Sequence, residues 1–273
     1  MKYADLHLHT IFSDGIYTPE TLVRRAHKVG LSACAVVDHD TLEGIPYLFT
    51  EAKKFDLELI PGIELTAAYE GTEIHILGYY LEYDNRQLAD TLVQLKKDRK
   101  VRAEEIIEKL HGIGVGLRPE AVFDLAGQGV VGRLHVARAL LQEGLVGSLA
   151  EAFQRYIGDK SPAYVLGFRF SPAQAIALIR DAGGIAVLAH PYILKNDDLI
   201  PRFVDEGLQG LEVHYPEHSQ SMVNFYLGIA RKYNLLVTGG SDCHGDAKSE
   251  IKMGSLKVDY ELVEKLKEAR VKR

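Results

Sequence analysis

The sequence has 273 residues of near-average composition, 47% hydrophobic and 26% charged, enough for one large α/β domain with an appendage or for two modest domains. A formal net charge of −6 argues against a general nucleic-acid coat or an anionic membrane surface as partner, since either favours a basic face. There is no run of about 18 apolar residues and no secretory signal pattern, so a cytoplasmic protein is expected. Cys34 and Cys243 form no Cys-x-x-Cys pair, which argues against a disulfide framework or a thiolate zinc site.

The first strand, around Tyr3-Ala4-Asp5-Leu6-His7-Leu8-His9-Thr10, alternates so that His7 and His9 project to one face and Leu6 and Leu8 to the other. Asp14 follows on an Asp-Gly turn. Thr18 as N-cap with Pro19 and Glu20 opens a helix that Gly30 closes. Residues 33–37 read as a buried strand ending in Asp38-His39-Asp40. A helix over 42–55 leads to a strand at 57–60, a Pro61-Gly62 turn, then Ile63-Glu64, and a strand over 73–80 carries His75.

The period then changes. A long amphipathic helix over 87–110 precedes three shorter helical segments, 119–126, 133–142 and 149–157, with no strand in 87–160. Over 96–180 there are 13 Lys+Arg against 9 Asp+Glu, leaving 19 against 29 elsewhere, so a basic cap sits over an acidic body and suits an anionic substrate. Within it, Lys96-Lys97-Asp98-Arg99-Lys100 reads as a solvated helix face. Alternation resumes with a helix from Ser171-Pro172, strands at 185–189, 211–214 and 235–238, helices near 199–206 and 220–233, and a final helix near 260–270. About seven strands, mostly with helical crossovers, imply a parallel sheet, open or closed into a barrel, with its site at the carboxyl ends of the strands.

The ionisable residues gathered there are His7, His9, Asp14, His39, Glu64, His190, Asp242 and His244 at or after strand ends, with His75 within the fourth strand. Any one alone is an ordinary core or loop residue; their coincidence at six strand ends points to a metal site. Imidazole and carboxylate without thiolate suit Mn, with Fe or Zn as alternatives. Nine ligands exceed what one ion takes and suit two or three divalent ions, with Glu64 and Asp242 as bridging carboxylates. Asp38 and Asp40 are expected to orient His39 or nearby backbone.

These motifs, with Pro61-Gly62-Ile63-Glu64, Glu73-Ile74-His75-Ile76, Ala189-His190-Pro191 and Gly240-Ser241-Asp242-Cys243-His244, resemble the PHP (polymerase and histidinol phosphatase) family. The resemblance implies a distorted seven-stranded (β/α)7 TIM-like barrel with an inserted helical subdomain, and phosphoester hydrolysis at a bi- or trinuclear metal centre. The expected division is 1–95 as first barrel segment, 96–168 as the inserted substrate-capping subdomain and 169–273 as second barrel segment.

The insertion, through residues 131–138 and 156–165, resembles phosphoesterases that include 3′,5′-nucleotide bisphosphate phosphatases and a related 5′→3′ exoribonuclease. The expected activity is removal of the 3′-phosphate from a nucleoside 3′,5′-bisphosphate by attack of a metal-bridging hydroxide. The alternatives are exonuclease action on short 5′-phosphorylated RNA, a histidinol-phosphatase-like reaction, and a non-catalytic, metal-stabilised binding module. A small phosphorylated nucleotide or short oligonucleotide is thus the expected partner, with no membrane and no stable nucleic-acid complex. His190, His214 and Asp242 are the candidate catalytic groups. Arg133 and His135 are candidates to grip a phosphate, and Lys160, Tyr164, His218 and Arg169 are weaker candidates for substrate contact.

Overall fold

The computed structural model describes residues 1–167, 170–248 and 251–271. The first half of the barrel is β1 (Tyr3–Leu8), α1 (Pro19–Lys28), β2 (Ala33–Val36), α2 (Ile45–Ala52), β3 (Glu58–Tyr69) and β4 (Thr72–Tyr79). The helical insertion follows as α3 (Arg86–Gly112), α4 (Pro119–Ala126), α5 (Arg133–Gln142) and α6 (Leu149–Ala152), and α6 continues into one π-helical turn, Phe153–Ile157. The chain returns to the barrel with α7 (Pro172–Asp181), β5 (Ile185–Leu188), α8 (Ile200–Asp205), β6 (Gly210–His214), α9 (Gln220–Lys232), β7 (Leu236–Gly239), β8 (Val258–Asp259) and α10 (Glu261–Val271). The Thr18 and Ser171 side chains accept from the backbone N–H of Thr21 and Gln174, the third residues of α1 and α7, and each helix has Pro in its first turn.

The strands form one sheet in the order β7-β6-β5-β4-β3-β2-β1-β8. The eighth strand is a two-residue antiparallel pairing, Tyr3 with Asp259 and Ala4 with Val258, too short to leave an alternating pattern. The sheet is also mixed rather than parallel, because β4 runs antiparallel to both β3 and β5. Glu70 and Gly71, with φ of 48° and 82°, make the two-residue hairpin loop between Tyr69 and Thr72. Pro61-Gly62 is not a turn. β3 runs straight through it, pairing with β2 up to Pro61 and with β4 from Gly62, so the change of partner falls where the missing proline N–H is harmless.

The sheet curls until β1 meets the chain beyond β7. There the Leu8–Cys243 bridge, a His9 N–H to Cys243 C=O bond of 3.1 Å, and Ser241 N and Oγ donating to Asp5 at 2.8 and 2.6 Å close the barrel. A Cβ on Gly240 would lie 2.3 Å from His7 N, so only glycine allows this approach.

Alternate strand positions sort into two cores. Ala4, Leu6, Ala35, Ile60, Leu77 and Val187 cluster with Val263 and Leu266 of α10 inside the barrel; Leu8, Val36, Leu65, Ile76 and Leu188 pack outward on α1, α2, α7 and α8. Leu6 and Leu8 therefore do not share a face, because the β1 register shifts between Asp5 and Leu8. A third core, including Ile106, Leu110, Val122, Val136, Leu140 and Ile157, belongs to the insertion. α3 passes from the barrel core to this one between Leu95 and Ala103. Among the described residues no helix is long and apolar enough to cross a membrane.

Candidate metal centre

The apolar barrel floor gives way to ionisable side chains at one rim. His7 and His9 come from the end of β1, His39 from the end of β2, Glu64 from β3, His190 from the end of β5, and Asp242 and His244 from the chain after β7. His75 joins them because β4 is antiparallel: the rim receives its beginning, where the other strands present their ends. Asp14 is delivered by the loop after β1. That loop is held by Asp38, which accepts from Thr10 N, Thr10 Oγ1 and Ser13 Oγ at 2.7, 2.5 and 2.6 Å.

Glu64 is the hub. Its Oε2 lies 3.3 Å from His7 Nε2, His9 Nε2 and His39 Nδ1 alike, and its Oε1 lies 2.7 Å from His75 Nδ1 and 3.1 Å from His190 Nε2. Asp242 Oδ1 is 3.4, 3.2 and 3.5 Å from His7, His9 and His244. Asp14 Oδ1 is 3.1 Å from His244 Nε2, and each Asp14 oxygen is 3.9 Å from a further imidazole, His9 or His39. His190 and Asp242 have φ of 26° and 54°, the left-handed backbone that side chains adopt only under constraint, here beside the site.

These groups fit divalent ions. His9 Nε2, Asp14 Oδ1 and His39 Nδ1 are buried without a hydrogen-bond partner, which is costly unless a ligand completes them. Donors that each sit about 2.1 Å from one ion lie roughly 3 to 3.5 Å apart, the spacing found here. Three sets can converge, His9-Asp14-His39-His244, His7-His9-Asp242 and His39-Glu64-His75. The electrostatics agree. Burial opposes the charged form of Asp14 and Glu64, yet the surrounding imidazoles hold both carboxyls well below the usual range. Burial likewise opposes the charge on His9 and His75, but Asp242 with Glu64, and Glu64 with Glu73, raise them to about 9. Without metal these rings hold protons that an ion must displace.

The rim opens into a cavity of about 480 Å³. Beside these groups, Arg102 and Arg133 from the insertion line the cavity, together with Leu134, Phe153, Tyr192 and Ile193. Arg133 donates to Glu73 Oε1 and Asp159 Oδ1, both at 3.1 Å, with its guanidinium 5.5 Å from the Tyr164 ring centre. The remaining candidates lie elsewhere. His135 is turned inward and its Nδ1 accepts from Gly132 N at 3.0 Å. Lys160 is exposed, with φ of 68°. His218 packs among Tyr192, Tyr215 and Tyr226, with Nδ1 donating to Val213 C=O at 2.8 Å. His214 lines a separate hollow with Leu227, Leu236 and Leu262. Arg169 is outside the described residues.

Several contributors escaped the sequence reading. Arg99 is buried, with Nε 2.6 Å from Asp40 Oδ2 and Nη2 2.5 Å from Thr66 Oγ1, so its stretch is not a wholly solvated face. Its spacing from Leu88, Leu92 and Leu95 places it on the buried stripe of α3, a signal the helix period did carry. Asp40 accordingly holds Arg99 and Thr66 N, not His39. Arg102 meets Glu73 Oε2 at 2.6 Å, and Tyr215 donates to Asp242 Oδ2 at 2.9 Å. Glu212, fully buried at the middle of β6, was visible only as a charge inside an apolar strand.

An α/β barrel whose rim gathers imidazoles and carboxylates around shared oxygens is a barrel built to hold metal. Residues 5–159 match the PHP domain family model. The chain is 35% identical over 247 residues to the 5′-3′ exoribonuclease Rnm of Salmonella typhimurium, covering 88% of this chain and 84% of that protein. It is 29% identical over 250 residues to the 3′,5′-nucleoside bisphosphate phosphatase of Chromobacterium violaceum, covering 89% and 88%. The solved structure of a proposed metal-dependent phosphoesterase from Bifidobacterium adolescentis superimposes with a TM-score of 0.90 at 30% identity, over 99% of this chain and 98% of that one. The chain belongs to the PHP domain family and is a metal-dependent hydrolase of phosphoester bonds.

Proposed function

We propose that the protein removes the 3′-phosphate from nucleoside 3′,5′-bisphosphates, with residues 96–168 capping the substrate. The observation that carries this reading is a single cavity of about 480 Å³ lined both by the rim imidazoles and carboxylates and by Arg133, with Leu134, Phe153 and Ile193 in the same lining, so that one substrate can meet both kinds of anion-binding group. His7, His9, Asp14, His39, Glu64, His75, His190, Asp242 and His244 hold two or three divalent ions, Mn being best suited to this donor set. When bound, these ions supply Lewis acidity at the phosphoryl oxygens and a water of lowered pKa.

Arg133 offers its planar fork to the 5′-phosphate, exchanging its Asp159 contact for phosphate oxygens. Glu73 and Tyr164 keep the guanidinium aimed into the cavity meanwhile. Phe153 and Ile193 shield the nucleoside from water. Water oxygen bonds to phosphorus, the P–O3′ bond breaks and O3′ takes a proton, leaving a nucleoside 5′-phosphate and inorganic phosphate. His214, facing another hollow, has no part in this reading.

A second reading is supported by the 35% identity to an exoribonuclease. The first nucleotide of a 5′-phosphorylated RNA presents the same 5′-phosphate and the same P–O3′ bond, with the rest of the strand attached to phosphorus. Incubating the Mn²⁺-loaded protein with adenosine 3′,5′-bisphosphate and with a 5′-phosphorylated RNA oligomer separates the two. Inorganic phosphate and AMP are expected from the first substrate; mononucleotide from the RNA without phosphate from the bisphosphate would replace the first reading by the second. For Arg133→Ala, loss of a charge-assisted pair predicts a KM about 10- to 100-fold higher with metal content unchanged. Unaltered kinetics would remove Arg133 from the site.

A further inference from the structure

Glu212 lies at the centre of β6, fully buried, and among the described residues no lysine or arginine pairs with it. A carboxylate in such a place is expensive unless its oxygens are used. Both are. Oε1 is 2.8 Å from Nδ1 of His7 on β1, and Oε2 accepts the backbone N–H of His190, just beyond β5, at 2.8 Å. The other carboxylates nearby have different work. Asp5 closes the barrel through Ser241, Asp38 holds the loop after β1, and Glu73 divides itself among His75, Arg102 and Arg133.

Facing a carboxylate oxygen at 2.8 Å, His7 Nδ1 is placed to be the donor of this bond. That leaves Nε2 as the nitrogen directed at Glu64 Oε2 and Asp242 Oδ1, 3.3 and 3.4 Å away. The other bond acts on backbone. His190 has φ of 26° and ψ of 65°, a strained combination for a residue with a Cβ, and its N–H is tied to Glu212. In that conformation its Nε2 stands 3.1 Å from Glu64 Oε1 and 3.3 Å from His75 Nδ1.

We propose that Glu212 is a positioning residue for the metal centre, fixing the His7 tautomer with one oxygen and the His190 backbone with the other, so that one side chain on β6 aligns ligands from β1 and β5. The inference rests on His7 and His190 being ligands. Glu212→Gln keeps one acceptor and turns its NH₂ toward one of the two donors, so a single bond survives. Partners of this kind typically set metal affinity by about 10- to 100-fold.

The test uses the full chain stripped of metal and titrated with Mn²⁺ by equilibrium dialysis, comparing the unaltered protein, Glu212→Gln and His7→Ala, alongside ¹⁵N spectra of the Zn²⁺-loaded unaltered protein. The expected results are a loss of Mn²⁺ affinity of about 10- to 100-fold in Glu212→Gln, and a His7 ring protonated at Nδ1 and metal-bound through Nε2. A folded Glu212→Gln protein with undiminished affinity, while His7→Ala loses metal, would overturn the positioning role and leave the ligand assignment standing. His7→Ala retaining all its metal would overturn both. Where Glu212→Gln does not fold, the spectrum decides alone, and Zn²⁺ bound through His7 Nδ1 overturns the proposal.

Discussion

His135 shows how a single ring can sit two residues from Arg133 and have a different task. It is the third residue of α5, and its Nδ1 takes the Gly132 N–H that the start of the helix would otherwise leave unpaired. Burial pulls the imidazole down to about 4, so it is neutral in the folded protein. The lowered value fixes the sign of its pH effect. Its contribution is complete above pH 6.5, where the unfolded ring is also neutral, and is lost as pH falls through about 4, at a cost of up to about 3 kcal/mol. His135→Gln keeps an acceptor at the same helical position without the titration. Its melting temperature is expected to fall less than that of the unaltered protein between pH 7 and pH 4.5; parallel curves would show that His135 does not titrate there. The rim histidines could be read because most of them lie at or just beyond strand ends, whereas the orientation of His135 depends on a helix packed from elsewhere. Glu212 was hidden for a related reason: its partners come from β1, which only barrel closure brings within reach, and from the chain just beyond the neighbouring strand β5.

Among the elements, α3 spans both barrel and insertion. One half packs Leu88, Leu92 and Leu95 on the barrel, the other gives Ile106 and Leu110 to the insertion core, and Arg99 at the changeover reaches down to Asp40 and Thr66. Removing one partner of a buried ion pair strands the other, so Arg99→Met should destabilise the protein by about 3 to 5 kcal/mol in urea unfolding. Arg99→Lys should recover part of that loss through Asp40; equal stability of all three proteins would show that the pair contributes nothing. The length and face of α3 were legible in its hydrophobic period, as were the caps at Thr18 and Ser171. The direction of β4 was not. Apolar runs look alike in parallel and antiparallel strands, and the clue lay in the short Glu70-Gly71 loop, which fits a hairpin and leaves no room for a crossover helix.

For the whole molecule, the rim concentrates partly protonated rings and carboxylates that only ions can bring fully into register. Bound metal stabilises by mass action, about 2.7 kcal/mol for each site filled at a hundred times its Kd. Stripping with EDTA is therefore expected to lower the calorimetric melting temperature by about 5 °C or more, and Mn²⁺ to restore it. An unchanged melting temperature would mean that the barrel does not depend on its ions for stability. The barrel closes between chain segments far apart in sequence: the Asp5–Ser241 bonds join positions 236 apart. Contacts at such separation form late in folding. A growing chain thus carries His7 and His9 long before Asp242 and His244, proposed to share their site, are translated. Between those two points the polypeptide holds an unfinished chelator, and commitment to metal waits for the strands that close the barrel.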